Sequence, residues 1–170
     1  MRKSIVAVTV LAVLLTASMA AAAAPFSGTI VGGVRTHGSD LDPYVYLEGS
    51  VLDNLALGVD YYHNHLGLSV WLGATRGFYG EVAWANGISS KPQSAELGLW
   101  TQFNVFDQAV VYGWVGAKRL LTGPATTALS LNAEAEFPLS NSFYAVIGGQ
   151  GEFAQNDTTF NGWLGLGVRF

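Results

Sequence analysis

The sequence predicts an all-β chain, a closed antiparallel up-and-down transmembrane β-barrel of ten strands. Three observations predict it. Apolar residues recur at every second position in segment after segment, which is the spacing of strands with one apolar face. After residue 24 no apolar run approaches the roughly 18 residues of a spanning helix. A chain that is 50% hydrophobic and only 12% charged would therefore cross a bilayer as strands. Finally, all six glutamates, Glu48, Glu81, Glu96, Glu134, Glu136 and Glu152, fall on the parity opposite the aliphatic residues, as does Asp60.

The leader comes before the strands. Arg2 and Lys3 precede an apolar run from Ile5 to Leu15, and small residues follow to Ala24. That charged, apolar and small order marks a secretory signal peptide over residues 1–23, cleaved after Ala21-Ala22-Ala23 in preference to Ser18-Met19-Ala20. An uncleaved anchor helix is the alternative. Residues 24–170 then form a single barrel domain, with six basic residues against twelve acidic ones once Arg2 and Lys3 are gone. The charged share is half the roughly 25% usual for a globular chain, too little to hydrate an outer face. Zero cysteines exclude disulfides and a lipid-modified N-terminal Cys, and suit an oxidising envelope compartment.

The parity of each segment gives the strands in order. Residues 26–37 place Phe26, Ile30 and Val34 against Thr29, Arg35 and His37, and 38–43 is a turn by composition. Residues 44–51 set Val45, Leu47 and Val51 against Tyr44, Tyr46 and Glu48. In 55–62 the apolar set is odd, whereas in 66–74 it is even. Such a phase break inside a run too long for one strand places a turn at His63-Asn64-His65. Residues 78–85 show Phe78, Val82 and Trp84 against Tyr79 and Glu81, and 86–93 is the clearest loop. Residues 94–103 oppose Leu97, Leu99 and Phe103 to Glu96, Trp100 and Gln102. Residues 108–118 are apolar on both faces, with Val111 and Val115 set outward and Tyr112, Trp114 and Lys118 inward. Residues 125–137 set Leu129, Leu131 and Phe137 against Ser130, Asn132, Glu134 and Glu136. Residues 142–152 set Phe143 and Ile147 against Tyr144, Gln150 and Glu152, and 160–170 close the count. An eight-stranded barrel is the competing count.

Threading this pattern up and down puts Phe26, Phe78, Phe103, Phe137, Phe143 and Phe170 at the periplasmic ends of their strands on the apolar parity. Tyr61, Trp84 and Phe160 begin a second ring at the other end. Aromatic girdles bounding an aliphatic band are what bilayer interfaces select. The carboxylates then point inward, because an ionised group on the lipid side near the midplane costs about 1 to 4 kcal/mol. The lumen-facing polar candidates are Arg35, Glu48, Asp60, Glu81, Glu96, Lys118, Glu134, Glu136, Glu152 and Arg169. Around them lie tyrosines, tryptophans and glycines, large beside small, as in a narrow filled barrel. A soluble barrel of the lipocalin sort would invert the faces and bind an apolar ligand inside.

The last eleven residues, Phe160 to Phe170, alternate to a terminal aromatic. With Gly165, Val168 and Phe170 in place, this ending resembles the C-terminal assembly signal of bacterial outer-membrane β-barrel proteins. Trp163 stands where that signal usually has a polar residue, and Val168 is aliphatic where an aromatic is common. The resemblance implies residence in the outer membrane after secretion across the inner one, with the lipid bilayer and the outer-membrane assembly machinery as partners.

Chemistry is sparse. The glutamates allow a narrow, cation-preferring pore passing small ions or solutes, or a polar network braced by Arg35, Lys118 and Arg169. Outer-membrane barrels also include lipid-modifying enzymes, and His63 and His65 near Asp60 invite comparison with a metal site or a hydrolase pair. No neighbouring Ser or Cys completes a triad, so a solvated turn is the expectation. No catalytic residue, metal ligand or cofactor is assigned. The acidic balance disfavours nucleic acid.

Overall fold

The computed structural model describes residues 27–85, 91–105, 108–123 and 126–170. The expected signal peptide and Phe26 lie outside them. Ten antiparallel strands follow one another: β1 (Gly28–His37), β2 (Asp40–Leu52), β3 (Leu55–Tyr62), β4 (His65–Leu72), β5 (Arg76–Trp84), β6 (Ser94–Val105), β7 (Ala109–Leu120), β8 (Thr127–Pro138), β9 (Phe143–Phe153) and β10 (Thr158–Arg169). Each pairs with its neighbours in sequence, and β10 returns to β1 from Thr29↔Arg169 to Arg35↔Trp163. The sheet is thus a closed barrel with no free edge. Ten strands stand, and the eight-stranded count is set aside.

Where expectation and structure differ, the differences lie at strand ends. The 38–43 turn shrinks to Gly38 and Ser39, with Gly38 at φ +59°, and β2 begins at Asp40. Pro43 therefore lies inside a strand, opposite Val34. On its other side the β2–β3 ladder starts only at Tyr44↔Tyr62. There the strand borders no neighbour, and a missing N–H costs nothing. The turn after β3 is two residues, His63 and Asn64, both with positive φ, the geometry that matches strand twist in a tight hairpin. His65 is the first residue of β4, paired with Tyr62, and not part of the turn. β6 and β7 run past the expected ends to Val105 and Leu120, because ladder hydrogen bonds continue where apolar alternation has stopped.

Two faces follow from the parity. Leu57, Leu99 and Leu131 are half exposed on the outer wall, whereas Glu96 is 5% exposed inside. That orientation is the reverse of the soluble barrel. The apolar core sits in the lumen, where Val31, Tyr44, Tyr144, Val146 and Trp163 pack together with Tyr46, Tyr62 and Trp114 against them. Glycines on the neighbouring staves make room for these rings. A Cβ on Gly148 would overlap the Trp163 indole, and one on Gly167 would overlap the Tyr144 ring.

Candidate functional site: the barrel lumen

Both ends of the barrel sequence, and the turns after β2, β4, β6 and β8, lie at one end, called here the near end. A cavity of about 420 Å³ runs inside the barrel, lined from Asp53 and Phe170 at the near end to Arg35, His65 and Lys118 deeper in. Of the residues read as lumen-facing, Arg35, Glu48, Asp60, Glu81, Glu96, Lys118, Glu134, Glu136 and Arg169 line it. Glu152 stands just beyond the lining and takes Lys118 Nζ at 2.6 Å.

Most of these charges are braced. Tyr46 Oη donates to Glu48, and Tyr79 Oη donates to Glu96. Trp163 Nε1 donates to Glu134 at 2.6 Å. Glu136 accepts from Arg169 and, at 3.3 Å, from Tyr112 Oη. Arg35 donates to Gln150 and lies over the rings of Tyr62 and Trp163, 4.0 and 5.2 Å from their centres. Ionic hydrogen bonds of this kind are the strong ones in a low-dielectric interior. Among them aromatic residues reach across the lumen. Trp71 stacks on Tyr79 at 5.1 Å and meets Trp100 and Trp114 edge-on at 6.0 and 5.8 Å, and Trp114 reaches Trp163 at 6.2 Å.

Two carboxylates stand apart. The three ion pairs among the described residues are His63–Asp42, Lys118–Glu152 and Arg169–Glu136. Neither Asp60 nor Glu81 takes part, and no side chain donates to either of them among the described residues. Both converge with His65, their ligand-type atoms lying within 4.8 Å of one another. The sequence places His65 in a turn near Asp60, and nothing in its local spacing brings in Glu81. The usable signal was parity, since His65 shares the phase of Gly67, Ser69 and Trp71, all inward. His63, by contrast, is exposed, with Nδ1 2.8 Å from Asp42. The two histidines therefore face different surroundings and form no pair.

On the outer wall Phe78, Phe103, Phe137 and Phe143 are exposed, each at the near end of its strand. Phe170 differs from its expected company: its ring lies against Gly28 and it lines the end of the cavity. Tyr61 and Phe160 are exposed at the far end. Gly165 faces Gly33 across the closing seam, and Val168 is buried opposite Ile30.

No protein-family model matches this chain, and no curated protein matches it. Solved structures do. The outer membrane protein Ail of Yersinia pestis, in a phospholipid bilayer nanodisc, is 12% identical, with a TM-score of 0.46 over 85% of this chain and 99% of that one. The N-terminal β-barrel domain of Pseudomonas aeruginosa OprF is 11% identical, with a TM-score of 0.44 over 85% and 97%. The translocator domain of the autotransporter NalP from Neisseria meningitidis is 11% identical, with a TM-score of 0.42 over 99% and 98%.

Proposed function

We propose that the chain is a small integral protein of the bacterial outer membrane, non-enzymatic, with a structural role in the envelope and a lumen closed by its own side chains. The observation that carries this is the bracing. Of the seven lumen carboxylates, Glu48, Glu96, Glu134, Glu136 and Glu152 each accept a hydrogen bond from a named side chain, and the Trp71, Trp100, Trp114 and Trp163 rings cross the space between. Such a network stiffens a barrel and resists a hydrated path. The outer wall supports the bilayer setting, since Leu47, Leu57, Leu97, Leu99, Leu129, Leu131, Ile147, Leu164 and Leu166 all lie exposed on it. A contiguous apolar belt of that kind in water would drive aggregation. Residues 1–23 act as the export signal, and the Gly165 to Phe170 ending is the element read by the assembly machinery.

A second reading is a narrow, cation-preferring pore. It is favoured by seven carboxylates against Arg35, Lys118 and Arg169, and by the 420 Å³ cavity inside the barrel. Planar-bilayer recording separates the two. A structural barrel gives no resolved conductance steps. Cation-selective steps that vanish in the Glu81→Gln, Glu134→Gln double variant would overturn the closed reading and establish the pore. An enzyme built on the His63 and His65 pair draws no support from their separate surroundings.

A further inference from the structure

We propose that Asp60, His65 and Glu81 form a binding site inside the lumen for one divalent transition-metal ion of the Cu²⁺ or Zn²⁺ kind. The three come from adjacent staves β3, β4 and β5, and the pairing places them diagonally. His65 sits opposite Tyr62, Asp60 opposite Gly67, and Glu81 opposite Ser69. Gly67 is what lets them meet, because a Cβ there would overlap the Asp60 carboxylate. The Tyr62 ring stacks on His65 at 4.6 Å and fixes the plane of the imidazole, while no hydrogen bond among the described residues engages its ring nitrogens. Stacking limits the orientations of the ring, and both of its nitrogens remain available to an ion or to water.

The distances suit an ion. Two ligand atoms each about 2.1 Å from a metal stand at most about 4.2 Å apart. The present spread of up to 4.8 Å closes by a side-chain adjustment of about half an ångström. One imidazole and two carboxylates select borderline divalent metals, and no thiolate is present to draw softer ones. The two carboxylates balance the ion's charge. The nearby cations are already engaged, Lys118 by Glu152 and Arg35 by Gln150 and two aromatic rings. The three ligands leave coordination positions facing the cavity, which all of them line and which water can fill.

The test uses the full chain refolded in detergent micelles with Cu²⁺ as the only added metal, read by electron paramagnetic resonance. The unsubstituted protein is expected to bind one equivalent with hyperfine splitting from a single imidazole nitrogen. Failure to bind an equivalent at micromolar concentrations overturns the proposal without reference to any variant. His65→Gln should abolish the nitrogen splitting. Asp60→Asn, Glu81→Gln and Gly67→Ala should each weaken binding by about tenfold or more, with heat-dependent gel mobility showing that each barrel has closed. His63→Ala should change nothing. A tight copper site that survives His65→Gln, or is lost with His63→Ala, refutes the assignment. None of these readouts depends on whether the lumen conducts.

Discussion

Leu131→Arg tests which solvent bathes the outer wall. Leu131 is 44% exposed and lies near the middle of β8, which runs twelve residues from Thr127 to Pro138. A strand rises about 3.3 Å per residue and tilts by about 40° in a membrane barrel, so each residue advances about 2.5 Å along the axis. Leu131 is one and a half residues from the midpoint of the strand, about 4 Å from the midplane, and Thr127 is about 14 Å away by the same rise. Arginine on the lipid face costs about 2 to 4 kcal/mol at the midplane and about 0 to 1 near the interface. The expected loss at Leu131 is thus a roughly 30- to 700-fold shift in the folding equilibrium, at about 1.4 kcal/mol per decade. Equilibrium urea titration of folding into phosphatidylcholine vesicles measures it, with Thr127→Arg on the same face as the shallow comparison. Were the wall hydrated, both substitutions would fall within about 0.5 kcal/mol of zero. Equal costs at the two depths would refute the lipid-facing assignment.

The lumen supplies further tests. Gly148→Ala pushes a methyl group into the Trp163 indole and breaks its bond to Glu134. The expected cost is about 1 to 3 kcal/mol, with a red shift of tryptophan emission, and an unchanged unfolding midpoint would contradict the packing described. Arg169→Gln leaves Glu136, 6% exposed, with only the long Tyr112 bond. In a double-mutant cycle with Glu136→Gln the pair should show a coupling of about 0.5 to 3 kcal/mol, and strictly additive costs would show that the ion pair is not formed. Replacing Tyr79 with Phe removes the donor to Glu96 and is expected to destabilise by about 1 to 3 kcal/mol, measured by the same urea titration.

The architecture was legible because a barrel writes itself in parity. Every stave but β7, apolar on both faces, alternates, and the break of phase between Tyr62 and Leu66, or across 86–93, marks a connection. Ends of strands were not legible, since Asp40, Pro43, Val105 and Leu120 are held by ladder hydrogen bonds that carry no hydrophobic signature. The lumen was half legible. Parity sorted the carboxylates from the leucines, but register decides who meets whom, and the Asp60, His65 and Glu81 grouping depends on a two-residue turn that was read as three. The same goes for Lys118 and Glu152, on strands that are not adjacent. Their meeting over the intervening β8 is set by its registers with β7 and β9, which no local spacing encodes.

The seam between β1 and β10 differs from every other join in its origin. The remaining ladders link staves that follow one another along the chain and assemble as hairpins, while this one brings Thr29 Oγ1 to the Val168 carbonyl, 139 positions away. Its loop-closure entropy is paid once, at the end. Gly32 and Gly33 face Leu166 and Gly165 there, between the Ile30–Val168 and Val34–Leu164 pairs. Closing the cylinder is thus the one join that no hairpin can supply, so the first stave must wait for the last before either has a second neighbour.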